Sequence, residues 1–379
     1  FLFKAKDINP NLPNPFVDTS YNLNNKRGER IRLMAPTIAF DTYNNIIDYD
    51  NASDESYKNE NTKVIINQNG FVGINTITPG QILDVRGKFN LQSSNDTSNN
   101  IYISNSTDPD PSNLGINNIG IGSYIFSSAT FNSSHNIALG HSSLQKLTTG
   151  HSNIAIGNSN LKDATTSQHN VSLGISSLSK IQNGSNNISV GNDSLKNILS
   201  GSNNLSIGSS ANSSYTGSND NITIGNYSGQ NVVGNKNILL GIESGLNLAG
   251  NYNTAYGHYS LKQSKGQYNV AFGYNSLTSN STVNSNFKYD FNTFIGSYKQ
   301  SGQRLLGNLN TGVGFETQLS STNNKNTSLG AQTLFNNTGS SNTAIGYLSN
   351  QYNSGNFNVS IGENSLNHSN GNNIVSNLG

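Results

Sequence analysis

The chain has 379 residues, of which 11% are charged and 32% hydrophobic, with a formal net charge of +1 and no cysteine. Disulfides and thiolate metal sites are therefore excluded. Nucleic-acid binding is disfavoured without a basic stripe, and no run of about 18 apolar residues offers a helical membrane span. Such polarity alone would suggest disorder, but the apolar residues recur on a strict schedule, which predicts periodic burial instead.

Residues 1–60 are not repetitive and read as an irregular N-terminal attachment region with short strands. Asn9-Pro10 and Asn14-Pro15 mark turns, and Arg30 to Phe40 alternates enough for one or two strands. Asp48 to Asn61 is acidic but lacks the ligand spacing of a calcium loop, so it reads as a solvated loop. The start on FLFKAKDINPN shows no signal peptide. With no initiator Met and an end within the repeat pattern, the sequence reads as a fragment or processed product.

Residues 61–99 read as a β connector. Lys63 to Asn67 and Gly70 to Ile74 flank Asn69-Gly70, a strong hairpin signal, and Ile82 to Gly87 gives a further short strand. The glycines here do not form a dinucleotide fingerprint, because no helix follows them.

From residue 100 to 379 the chain repeats. The kernel is Asn, a β-branched residue, a small residue, a large apolar residue, then Gly. The Asn falls at 118, 136, 153, 170, 187, 204, 221, 237, 253, 269, 292, 310, 326, 342 and 358. A degenerate kernel begins at Asn100. The steps are 16 to 18 residues, apart from one of 23 between Asn269 and Asn292. Eight copies add a Leu four residues past the Gly, among them Leu144, Leu161 and Leu178. All seven prolines lie between Pro10 and Pro111, leaving the repeat free to build an uninterrupted backbone ladder.

A short fixed period of this kind predicts an all-β parallel β-roll or β-solenoid of 15–16 coils. Each coil has room for two short strands and two turns, and for no helix. The alternation predicts one strand per kernel, with Ile154 and Ile156 pointing into the roll and Ala155 and Ser172 outward. The Asn column admits two readings, a stacked hydrogen-bond ladder or a carbohydrate-binding row. Sequons such as Asn221-Ile222-Thr223 fall inside strands and argue against glycosylation there.

Asn342 to Asn350, Asn269 to Leu277 and Asn358 to Leu366 resemble the head repeats of trimeric autotransporter adhesins. Gly70 to Gly87 resembles the segment that precedes such repeats in phage and virus fibre proteins. The resemblance implies a left-handed β-roll, a homotrimer, and a role as a stalk or head in adhesion. The coils exceed the usual adhesin head coil in length, and neither heptads nor a membrane anchor follows, which favours a virion fibre on the particle surface. In that form the N-terminal region would join the virion or tail, and the fibre would meet a host receptor or glycan. A bacterial surface adhesin head is the alternative, and a solenoid polysaccharide-degrading enzyme a remote one.

No catalytic constellation stands out, so a non-enzymatic protein without cofactors is expected. Serines lack a nucleophile-elbow setting, and the acids of the repeats are scattered singly. Six histidines lie in the repeat: His135, His141, His151, His169, His258 and His368. His141 and His258 follow the kernel Gly, where a trimer could form a ring of three imidazoles, or where they are surface turn residues. The 23-residue step is the largest irregularity. Phe287, Lys288, Tyr289 and Phe291, with Tyr298 and Arg304 in the next coil, are the candidate receptor or partner contacts. A loop packing its own aromatics on the neighbouring coil is the competing reading.

Overall fold

The computed structural model describes residues 38–41, 62–66, 71–74, 79–85, 99–103, 115–128, 132–213, 217–278, 289–297, 307–318, 323–367, 371–372 and 374–377. The chain divides into two compact units, Phe1–Ser93 and Ser94–Gly379. In the first, β1 (Ile38–Asp41), β2 (Thr62–Ile66), β3 (Val72–Ile74) and β4 (Leu83–Val85) form one sheet. The β2–β3 pair is antiparallel, as the Asn-Gly signal predicts, and β3–β4 is parallel.

The second unit is a parallel β-solenoid. Among the described residues seventeen three-residue strands mark it, from β5 (Ile101–Ile103) to β21 (Val375–Asn377). Each pairs in parallel with the strand one repeat away, so that Ile154 faces Ile137 on one side and Val171 on the other. The degenerate kernel at Asn100 supplies the first rung, since Ile101 pairs with Ile119. Backbone bonds continue outside the strands: Leu161 N donates to Ser177 O and Ser159 N to His141 O.

The second strand expected in each coil is replaced, among the described residues, by turns and three isolated bridges, such as Gln168↔Ser185. The backbone supplies the reason. In a typical coil Ser152, Ser159 and Leu161 have φ of 57°, 57° and 50°, so the chain turns repeatedly and cannot run extended.

The strand faces are the reverse of the expectation. Ala155 and Ala138 are fully buried, whereas Ile154 is half-buried and Ile156 exposed. The small residue faces inward because Leu144, Leu161, Leu178 and Leu195 fill the interior from the turn opposite. A second inward column lies eleven residues past the Asn, with Leu147, Ala164, Ile181 and Ile198. A bulky residue on the inner side of the strand would collide with these two columns. Where one occurs, its neighbours shrink: Phe294 sits inside, and a Cβ on Gly312 would lie 2.5 Å from its ring.

The kernel Asn shares the inward face and is buried in all fifteen regular copies. Its Oδ1 accepts the backbone N–H of the next kernel Asn, and from Asn136 to Asn310 its Nδ2 donates to the Oδ1 of the preceding one. Asn170 receives Asn187 N at 2.9 Å and Asn187 Nδ2 at 2.9 Å. Asn187 Nδ2 also donates to Gly201 O, so the amide is satisfied without water. The chain of acceptors is unbroken from Asn100 to the N–H of Ile374, and the 23-residue step leaves it intact at 3.0 Å. With these side chains enclosed, the ladder reading holds and a carbohydrate-binding row does not.

Among the described residues the apolar core forms two clusters, Ile125–Ile198 and Val232–Phe294. Between them Asn212 occupies the turn position that Leu178 and Leu195 fill elsewhere, with the same left-handed backbone and both amide atoms lacking partners.

Candidate functional site: the outward strand face

Because the kernel Asn and the small residue point inward, the residues before, between and after them point outward. Each coil therefore presents three positions side by side. In the coil of β8 (Ile154–Ile156) they are Ser152, Ile154 and Ile156. Stacked parallel strands turn these positions into three columns running the length of the ladder.

The last column is apolar from Ile103 to Ile361, including Ile121, Ile156, Ile207, Tyr256, Phe272, Ile295, Leu329, Ile345 and Ile361, all exposed. The middle column is Ile, Val or Leu as far as Ile238, then mainly Thr, as in Thr254, Thr293, Thr311 and Thr327. The first column runs polar from Asn117 to Lys236, then becomes Tyr252, Tyr268, Phe291 and Leu309. The described part of the three columns carries three carboxylate or ammonium side chains: Asp220, Lys236 and Lys325. Scattered exposed apolar residues need no explanation, but a continuous stripe does.

The aromatic residues make ordered rows. Tyr252 stacks on Tyr268 with centroids 4.8 Å apart and planes within 6°, and Tyr268 stacks on Phe291 at 4.8 Å. Across the strand, Tyr256 stacks on Phe272 at 4.7 Å. Lys236 closes the first row: its Nζ lies 5.1 Å above the Tyr252 ring and donates to the Tyr252 hydroxyl at 3.2 Å. That hydrogen bond, followed by the hydroxyl's charge interaction, raises the lysine's pKa above its ordinary value.

The sequence-derived contact residues separate in the structure. Tyr289 is only 3% exposed, and its carbonyl accepts Asn269 Nδ2, so it belongs to the coil and not to a projecting loop. Phe291 is exposed, but on the strand face against Tyr268. Phe287, Lys288, Tyr298 and Arg304 lie outside the described residues. His141 stands in the turn after the kernel Gly, edge-on to Tyr124 at 5.4 Å, and His258 holds the equivalent place. A contact the sequence did not suggest joins His151 and His169, with rings 5.0 Å apart.

Elsewhere, an open groove is lined by Ser127, Ser128, Gln145, Lys146, Lys162 and Asp163, with Lys146 paired to Asp163 at 2.7 Å. Among the described residues no cluster of three or more His, Cys, Asp or Glu could hold a metal ion, and no helix is long and apolar enough to cross a membrane. No family model matches the chain, and neither a curated protein nor a solved structure is significantly similar to it. The fold and site thus define a parallel β-solenoid repeat protein with one long apolar strand face.

Proposed function

We propose that the chain is a structural and adhesive fibre protein of a phage or virus particle, assembled as a homotrimer through the outward strand face. The observation that carries the reading is that face. It keeps an apolar column at every described rung from Ile103 to Ile361 and bears few charges. Sixteen steps between seventeen rungs, at about 4.8 Å each, and a width of about four residues at 3.3 Å give roughly 1,000 Å² per chain. In a trimer each chain divides that face between two neighbours, so each pairwise contact buries roughly 1,000 Å² counting both chains, about the level a specific interface should clear. The resemblance of the kernels to adhesin head repeats supports the number three, and that of Gly70 to Gly87 supports a fibre on a particle.

Attachment through the N-terminal unit and host contact through the region of the 23-residue step complete the proposal. Regular coils present nearly the same surface at every level, so distinctive chemistry enters where the repeat breaks, around Phe287, Lys288, Tyr298 and Arg304. An antibody raised against residues 136–278 tests the reading on particles and cells that carry the gene. Decoration of fibres on virions is expected. Decoration of intact bacterial cells instead would make the chain a bacterial surface adhesin, and labelling of neither surface would sink the adhesive role.

A further inference from the structure

We infer that the aromatic rows form the strongest interchain contact of the assembly: Tyr252 and Tyr268 of one copy pack on Tyr256 and Phe272 of the next. This rests on the trimer proposed above and specifies which residues meet.

The argument starts from closure. When flat faces close around a threefold axis, the central columns point at the axis and the flanking columns meet at the three seams. Each seam joins the first column of one chain to the last column of its neighbour. On most levels that pairs a polar residue with an aliphatic one, as Asn186 with Val190 or Asp220 with Ile224. In the coils of Thr254 and Val270 both partners are aromatic. All five rings of the two rows, Phe291 included, are 42–51% exposed.

The rings do not suit a small ligand. A sugar or a base stacks on an open ring face, and here each inner face is taken by the next ring of the row or by the Lys236 ammonium. What remains outward is a ridge of ring edges on either side of Thr254 and Val270. A second copy offers the matching ridge at the same height, and central desolvated aromatics are where interfaces concentrate their binding energy.

The chain has no cysteine, so paired thiols can be placed cleanly. Tyr268, left-handed at φ 58° where the chain enters the strand, and Phe272 at its end are four residues apart, about 13 Å between Cα atoms when the residues between are extended, beyond the reach of a shorter bismaleimide within one chain. The doubly substituted Tyr268→Cys, Phe272→Cys protein should cross-link to a covalent trimer, while either single variant should not. A double variant that is itself trimeric by mass yet stays uncross-linked, or single variants that cross-link equally, would overturn the seam assignment but leave the trimer standing. A monomeric mass for the unsubstituted protein would overturn both. As a milder measurement, Tyr268→Ser and Phe272→Ser should each weaken assembly at least tenfold, and Tyr274→Ser, an exposed ring off this face, less than twofold. Equal effects from all three would contradict the inference.

Discussion

Leu239 and Gly245 share one packing volume in the solenoid interior. Leu239 sits in the inward strand position where other coils place Ala or Ser, and Gly245 sits in the turn position where they place Leu. A Cβ on Gly245 would lie 2.5 Å from Leu239 Cδ1, and one on Gly229 in the preceding coil 3.2 Å from the same atom. The interior has a fixed cross-section, so a gain at one position is balanced by a loss at the other.

Gly245→Leu alone should therefore destabilise the solenoid by about 2–3 kcal/mol through overpacking. The swap Leu239→Ala, Gly245→Leu should recover most of that loss, because Leu has the same backbone at Leu261, with φ of 52°. Thermal melts of the two variants check this. A double variant no better than the single one would deny the shared volume.

The Asn ladder makes a second expectation. Asn187→Ala removes an acceptor from the buried N–H and Nδ2 of Asn204, as well as two bonds of its own. A loss of about 2–4 kcal/mol follows, since the stranded donors keep their desolvation cost. Chemical denaturation measures it, and a change below about 0.5 kcal/mol would mean the ladder adds nothing to stability.

Asn212 points the other way. Asn212→Leu restores the side chain that Leu195 provides one coil earlier and removes two unpartnered buried polar atoms. Its φ of 46° is close to the 49° of Leu195, so no new backbone strain arises. Stability should rise by about 1–3 kcal/mol. A fall would show that this coil cannot admit the larger side chain.

Much of the fold was legible because it repeats. Asn, β-branched, small, apolar, Gly over fifteen copies fixed the strand positions, the parallel stacking and the first rung at Asn100. Which face pointed inward was not legible from large-small-large alternation alone, because a three-residue strand permits either choice. The deciding signal lay beside it: the kernel Asn has the parity of the small residue, so burying the ladder buries Ala155 too. The opposition of Leu239 with Gly245 was a second available sign. Left-handed Ser159 and Leu161 were hidden for another reason, since neither residue type favours that backbone and only the stacked coils impose it.

The reversed faces change what substitutions on one strand should do. Ala155→Phe forces a ring into the filled interior and should unfold the coils around it, with loss of stability of about 3 kcal/mol or more. Ile156→Ser leaves the interior untouched and should weaken association while each coil keeps its fold. Circular dichroism with sedimentation separates the two outcomes. A well-folded Ala155→Phe protein would contradict the packing described here.

Kernel glycine is a separate requirement. Gly174 has φ of +128°, and a Cβ there would lie 2.4 Å from Gly191 O in the next coil. Gly174→Ala should cost about 3 kcal/mol or more, from strain and from separation of the coils. A melting temperature unchanged within about a degree would refute it.

The most direct test of the assembly is the mass of the purified chain in solution, by light scattering at low concentration, for wild type beside Ile156→Ser. The account predicts three chains for wild type and a shift toward single folded chains for the variant. A stable, folded wild-type monomer would contradict it, because the apolar face would then stand open to water along the whole ladder.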